Sequence, residues 1–312
     1  MLQMMRSGKM FEPKFIATIV HETLTMPKIT PLTPSLGAEI GGVDLSAPMS
    51  AELFMAIKNA LLEHQVIFFR DQTLSNEAFV AWGERFGPLM KHPAASKHHP
   101  DFDKLAVVRA DETTRNAFGE GWHSDQSALP EPPTISMLYI NTLPDVGGDT
   151  LWSSTYRAYE ALSTPMKRLV NTLSVFHNNL KPNRGYVFTG SGRVMQHEHP
   201  LVIRHPDSQR CALFANRLAT THIPQLSWAE SEALLAFLYA HIEQPRFQCR
   251  FRWSKNAVAM WDNRCTQHTA VWDYFPQVRE GVRLTVQGHP LAAAFPDQVE
   301  WTNERPVAAR LE

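Results

Sequence analysis

The spacing of apolar residues along the chain changes period several times, and each change marks an expected element. After Ser50, Leu53, Ile57, Leu61 and Leu62 fall at helical spacing, with the serine placed to cap the first turn. The run Val66, Ile67, Phe68, Phe69 reads as a buried strand. A second helix starts at Ser75, carries Phe79, Trp82 and Phe86, and stops at Gly87. Strands are expected at 105–108, 135–140, 150–153 and 173–176, with a helical segment at 156–169 broken near Pro165. Residues 178–196 are rich in Asn, Gly, Ser and Arg without periodicity, which predicts a long mobile loop and a candidate lid. Strands at 201–204 and 212–216 follow, then a helix from Ser227 with a capping box to Glu230, then strands at 247–253, 257–261 and 281–287. Residues 29–45 alternate short apolar runs with Pro and Gly, as short strands and tight turns do.

Many short strands and no regular strand–helix alternation argue against Rossmann and TIM arrangements. The expected fold is mainly β with added helices, a sandwich or barrel forming one domain over 26–312. Residues 1–25 have no clean period and are expected to be a tail or an upstream start.

Composition narrows the function. The 312 residues carry 30 Lys+Arg against 31 Asp+Glu, a formal charge of -1, and no basic cluster dense enough for a nucleic-acid face. Three scattered cysteines, Cys211, Cys249 and Cys265, form no disulfide framework and suit a reducing cytosol. No apolar run approaches the roughly 20 residues of a membrane span, and the N-terminus lacks the apolar core of a signal peptide. The expectation is a cytoplasmic protein with a small-molecule substrate, no nucleic-acid or membrane partner, and assembly as a homo-oligomer. Fourteen histidines direct attention to metal binding.

His123 and Asp125 stand two apart, so an extended chain turns both to one face. A third ligand must come from far along the chain, and His268, just after the strong strand signal ending at Trp261, is the candidate. Two imidazoles and one carboxylate form the facial set that leaves adjacent positions open on non-haem Fe(II), enough for a bidentate organic acid and dioxygen. An ordinary surface turn gives the same His-x-Asp spacing. In the last strand Val282, Leu284 and Val286 share one face and Arg279, Gly281, Arg283, Thr285 and Gln287 the other. Two arginines on one face either line a polar barrel interior, where their forks bind carboxylates bidentately, or face water on a half-buried strand.

The fragments GWHSDQS at 121–127, VGGDTLWS at 146–153, ALFANRLATTHI at 212–223 and WDNRCTQHTAVWDYFPQVREGVR at 261–283 together resemble the TauD/TfdA branch of the Fe(II)/2-oxoglutarate oxygenases, over nearly all of 29–288. The resemblance implies a double-stranded β-helix (jelly-roll) core, with iron held by His123, Asp125 and His268. It implies that Thr150 and Arg279 hold the distal carboxylate of 2-oxoglutarate. Arg283 matches an arginine that contacts the substrate sulfonate in the taurine enzyme and helps hold 2-oxoglutarate in some relatives, so both roles stay open. His92, in a family-like His-Pro, and Gln126, beside Asp125, are the substrate-binding candidates. The implied reaction consumes 2-oxoglutarate and O2 at Fe(II), hydroxylates an unactivated C–H and releases succinate and CO2.

Several pocket positions depart from the taurine enzyme. Ala95 stands where it has Tyr, Gly119 where it has Asn, and Ala128 and Leu218 where it has Phe. Losing those groups enlarges the pocket, so the expected substrate is an anion larger than taurine: a sulfonate, sulfate ester or carboxylate. Trp122 and Trp261 are expected in core packing, and Cys265 as a small buried residue. Two other functions use the same residues: a cupin-like metal isomerase or hydrolase, and a catalytically silent jelly-roll binding protein.

Overall fold

The computed structural model describes residues 26–301 apart from 94, 96, 116–118 and 181–193. The expected tail over 1–25 and the middle of the expected lid therefore lie outside the described residues. In chain order the elements are β1 (Lys28–Pro31), β2 (Ala38–Gly41), α1 (Ala51–His64), β3 (Val66–Phe69), α2 (Asn76–Glu84), β4 (Ala106–Ala110), β5 (Ile135–Thr142), β6 (Thr150–Ser154), α3 (Thr155–Glu160) and α4 (Thr164–Val170). They continue as β7 (Ser174–Asn178), β8 (Gln196–Pro200), β9 (Val202–Arg204), β10 (Cys211–Leu213), β11 (Thr220–His222), α5 (Trp228–Ile242), β12 (Gln248–Phe251), β13 (Ala257–Asp262), β14 (Thr266–Ala270) and β15 (Arg279–Thr285). No helix among them is long and apolar enough to cross a membrane.

A seven-stranded sheet runs β1-β2-β3-β13-β5-β15-β4, and a three-stranded sheet runs β12-β6-β14. Period-two alternation explains how the large sheet holds two layers together. In β3, Ile67 and Phe69 point into the core under α1 and α2, while Val66 and Phe68 point into the core between the sheets. β13 divides likewise, with Val258 and Met260 to the helices and Ala257, Ala259 and Trp261 to the inter-sheet side. A strand buried on both faces reads as an unbroken apolar run, which is why these two were legible in the sequence. The inter-sheet core closes on Phe68 stacked against Phe251, centroids 4.0 Å apart, with Trp152 edge-on to Phe68.

The inner face of β15 carries Arg279, Gly281, Arg283 and Thr285, all buried, so the two arginines line the interior and do not face water. Leu284 and Val286 belong to the core under the helices, as the alternation predicts.

Several boundaries differ from the sequence expectation. The 156–169 segment is two helices, because Ser163 caps α4 and Pro165 sits in its first turn, where a missing N–H costs nothing. Phe86 lies beyond α2. The long loop is shorter than expected, since Asn178 and Gln196 are register partners at the ends of β7 and β8. β11 and β14 went unpredicted, because TTH and TQHTA carry no apolar alternation although β14 is largely buried.

Gly281 answers to a close approach. The pairing of β15 with β5 shifts register between Glu280 and Gly281, and a Cβ at Gly281 would run into the Tyr139 carbonyl oxygen and lie 2.7 Å from Ile140 Cδ1. Gly281→Ala is expected to cost about 1–3 kcal/mol, as overpacking does. A lowered urea midpoint at unchanged slope is the outcome to look for; an unchanged midpoint would mean that this strand pair relaxes without penalty.

Candidate active site

His123 and His268 are cross-strand partners in an isolated bridge, with N–H to carbonyl bonds of 3.0 and 2.8 Å running both ways. Residues directly opposite on neighbouring strands turn their side chains to the same side, and the two imidazoles lie with centroids 4.2 Å apart. Asp125, two residues on from His123, places Oδ1 3.6 Å from the Nε2 of each ring. The geometry realises the proposed same-face pair and brings the distant His268 to it. His123 Nδ1 lies 2.8 Å from the Gly121 carbonyl, to which Nδ1–H donates a hydrogen bond, leaving the lone pair on Nε2.

A polar cage fixes the carboxylate. Asp125 Oδ2 accepts from Ser136 Oγ at 2.7 Å and forms an ion pair with Arg283. Asn263 Nδ2 donates to Ser136 Oγ at 2.9 Å, while Asn263 Oδ1 accepts from the Asp125 backbone and from Trp261 Nε1. Oδ2 is thereby spent within the protein, and Oδ1 is left facing the imidazoles. Burial alone would push the Asp125 carboxyl up, but Arg283, His268 and His123 together outweigh it and hold the group well below the usual carboxylate range. Burial, then His123, lowers His268 well below its ordinary value, so that ring is a neutral donor. The neutral His268 ring, the free Nε2 lone pair of His123 and one ionised carboxylate suit a divalent cation.

The sequence pointed to His123, Asp125 and His268, which the fold brings together, and missed the cage. Ser136 carried a visible signal, a single serine in the apolar run ISMLYI, and Asn263 lies within the WDNR of the family-like fragment.

Beside this cluster a cavity is lined by Thr150, Gly119, Leu138, Trp261, His268, Arg279 and Arg283, among others. β6 of the small sheet brings Thr150 and β15 of the large sheet brings both arginines. Arg279 is buried, its Nε and Nη2 have no partner among the described residues, and burial lowers its guanidinium from the ordinary value. Asp149 is nearby but bonds to Arg250 at 2.6 Å. A buried guanidinium with two unspent donors costs several kcal/mol unless something anionic meets it. Together with the Thr150 hydroxyl it fits a carboxylate.

His92 is buried, and its electrostatic neighbours include Arg283, Asp125 and His123; burial, then Arg283, lowers its pKa to about 3. Gln126 has φ 46°, a left-handed backbone that non-glycine residues rarely adopt, and both atoms of its amide are buried without a partner among the described residues. Gly119 lies beside the cluster, its Cβ position 3.9 Å from His123 Cε1. Ala128 is buried and Leu218 packs on Gly121. Trp261 is in the core as expected and also lines the cavity, with its ring 4.8 Å from His268. Trp122 is only half-buried, so the core-packing expectation does not hold for it.

A second group, His205, Asp262 and Cys265, has ligand atoms equally close together but is a structural ion cluster. Asp262 accepts from the Arg264 backbone at 2.9 Å and from its guanidinium, through Nε at 2.9 Å and Nη2 at 2.6 Å, and from His205 Nε2 at 3.0 Å. His205 Nδ1 accepts from the backbone of Asp207 and Ser208, so neither nitrogen is left for a metal. Burial, then Asp262, pushes the Cys265 thiol well above its ordinary value, in line with an inert buried residue. This cluster braces the turn between β13 and β14, and β14 carries His268.

A jelly roll whose two sheets close over a His-x-Asp pair, a distant histidine and a buried, anion-seeking arginine defines a non-haem metal oxygenase. The chain matches the family model "Taurine catabolism dioxygenase TauD, TfdA family" over residues 28–285 and belongs to that family. The alpha-ketoglutarate-dependent sulfate ester dioxygenase of Pseudomonas putida is 35% identical over 274 residues, covering 83% of this chain and 89% of its own length. The alpha-ketoglutarate-dependent sulfonate dioxygenase of Saccharomyces cerevisiae is 32% identical over 295 residues, covering 88% and 70%. The crystal structure of a taurine dioxygenase from Burkholderia xenovorans superposes with a TM-score of 0.77 at 32% identity, covering 89% of this chain and 96% of that one. The protein is an oxidoreductase of a family that uses Fe(II), 2-oxoglutarate and dioxygen, which sets aside the isomerase, hydrolase and silent-protein alternatives.

The Asp262 cluster yields a stability test. Arg264→Ala strips a buried carboxylate of its main partner and is expected to cost about 3–5 kcal/mol in chemical unfolding. Neutralising both partners, Arg264→Ala with Asp262→Asn, should cost less than the single change, because no buried charge is left alone; a larger loss in the double variant would contradict the ion-cluster reading.

Proposed function

We propose that this dioxygenase hydroxylates an alkyl sulfate ester or alkyl sulfonate larger than taurine, at the carbon next to the anionic head. His123, Asp125 and His268 hold Fe(II), and Thr150 and Arg279 hold the distal carboxylate of 2-oxoglutarate. When bound, iron and 2-oxoglutarate supply an oxidant able to take hydrogen from an unactivated C–H, with succinate and CO2 as products. The chain's own residues bind, aim and exclude water. The observation that carries the reading is Arg279, whose two unspent buried nitrogens face a cavity shared with His268.

The anionic head is assigned to Arg283 and His92. Arg283 is buried, already braced by Ser136 at 3.1 Å, and keeps Nε without a partner among the described residues. Because Arg283 lines the same cavity as Arg279, it also borders 2-oxoglutarate. The Gln126 amide offers one donor and one acceptor to bound substrate. The small residues at 95, 119 and 128 leave room for an alkyl chain, whose burial is worth about 25 cal/mol per Å². A relative acting on sulfate esters supports this substrate class. A cytoplasmic setting belongs to the same proposal, supported by three unpaired thiols. So does self-association, supported by the exposed strand β1, which ends the large sheet and has no further neighbour among the described residues.

Two measurements follow. Arg279→Ala is expected to raise the KM for 2-oxoglutarate roughly 30-fold or more, equivalent to about 2–5 kcal/mol, while the KM of the prime substrate moves little. A change confined to the prime substrate would reassign Arg279. In competition, a medium-chain alkyl sulfate should give a higher kcat/KM than taurine, read as substrate-dependent succinate. Inorganic sulfate should appear with it, since a carbon bearing both hydroxyl and sulfate expels sulfate to leave an aldehyde. Taurine outcompeting every larger sulfonate and sulfate ester would refute the pocket reading.

A further inference from the structure

Two donors lining the cavity, Thr150 and Arg279, both meet a single side chain that is none of the three assigned metal ligands. Trp253 follows β12, whose Phe251 is the register partner of Thr150. Its indole Nε1–H donates to Thr150 Oγ1 at 3.0 Å. A threonine hydroxyl has one proton and two lone pairs, and with the indole on a lone pair the proton must point elsewhere. No acceptor for it occurs among the described residues, and Thr150 lines the cavity. The same indole lies under Arg279, with the guanidinium carbon 5.4 Å from the ring centroid. From Gly148, at φ +72°, a Cβ would come within 3.1 Å of Arg279 Cδ and 3.3 Å of the Tyr274 ring, so glycine makes space for the arginine on that side. Trp253 is itself anchored, edge-on to Phe251 at 5.2 Å, and Phe251 stacks on Phe68 in the inter-sheet core.

We propose that Trp253 is a positioning residue for the distal carboxylate of 2-oxoglutarate: its N–H makes Thr150 a donor toward the cavity and its ring face steadies the Arg279 guanidinium. The inference rests on the assignment of Thr150 and Arg279 to that carboxylate. It splits the indole into two separable jobs. Trp253→Phe removes the N–H and keeps a ring under Arg279, whereas Trp253→Leu removes both.

The test is a binding measurement, independent of turnover: titration calorimetry of N-oxalylglycine into the full-length Mn(II)-loaded protein. Trp253→Phe is expected to raise the Kd about three- to tenfold, the scale of one net hydrogen bond. In a Thr150→Val background, where no hydroxyl remains to be oriented, Trp253→Phe should change the Kd less than twofold. Trp253→Leu should weaken binding further in both backgrounds, because a cation–π contact is lost as well. Mn(II) affinity should match the parent in every Trp253 variant, which a general loosening of the fold would not allow. Wild-type affinity in Trp253→Phe, or equal weakening with and without the Thr150 hydroxyl, overturns the inference. Unchanged affinity in both Thr150→Val and Arg279→Ala would instead overturn the carboxylate assignment beneath it. Should Trp253→Leu fold poorly, the Trp253→Phe and Thr150→Val cycle decides alone.

Discussion

The site depends on two backbone hydrogen bonds between residues 145 positions apart, His123 and His268. A facial metal set needs its imidazoles near enough to share one ion and inclined to each other, and a cross-strand pair meets both needs without side-chain rearrangement. The bridge also fixes Asp125, because a chain held at His123 has little freedom two residues later. Everything that stabilises the position of β14 therefore bears on the ligand set. β14 pairs with β6, which places His268, in the middle of the strand, opposite Trp152 and its last residue, Ala270, opposite Thr150. The ligand and the distal donor belong to one pair of strands, so the cavity between them has a length set by strand geometry.

Two ion clusters hold this frame from different sides. Arg283 and Asp125 meet on the cavity side, cross-linked through Ser136 and Asn263 to the indole of Trp261. Arg264 and His205 meet Asp262 behind the turn. Each carboxylate is buried and each has a guanidinium, the arrangement in which breaking one partner costs far more than the pair gains over an apolar substitute. Such clusters are poor stabilisers but strict positioners. Here both hold the start of the segment that leads to His268, one through Asn263 and the other through Asp262 and Arg264.

The sequence disclosed the elements whose burial is apolar. β3 and β13 were visible because both faces are covered, and α1, α2 and α5 because their caps are serines with the right spacing. β14 was invisible for the opposite reason: its buried residues Thr266, Gln267 and His268 are polar, with Thr266 bonding back to the Asp262 carbonyl and Gln267 reaching across to the Ala215 carbonyl, so no apolar alternation marks the strand. The same division runs through the site. The candidate ligands and the two arginines stood out because metal and carboxylate chemistry restricts residue type. Ser136, Asn263 and Trp253 were not, because a hydroxyl, an amide or an indole acquires its meaning only from what it bonds to across the sheets. The alternation of β15 gave two open outcomes for Arg279 and Arg283, and only the presence of the small sheet against that face decided between them.

Under the proposed assignment, charge explains why the substrate should be anionic. Among the described residues lining or bordering the cavity, two guanidiniums stand against one ionised carboxylate, since Asp149 is paired to Arg250. His92 and His268 are held neutral by burial and add no charge. Under the proposed assignment a divalent ion brings the site to three positive charges. Dianionic 2-oxoglutarate removes two of them, and one positive charge is left in a buried space. An anionic sulfate ester or sulfonate completes neutrality, whereas a neutral substrate leaves one charge uncompensated and pays its desolvation. Zwitterionic taurine neutralises that charge with its sulfonate but brings an ammonium into a pocket where Gly119 and Ala95 provide no side-chain acceptor for it. The electrostatics and the missing side chains thus select the same kind of molecule: one anionic head, no cation, and an apolar body.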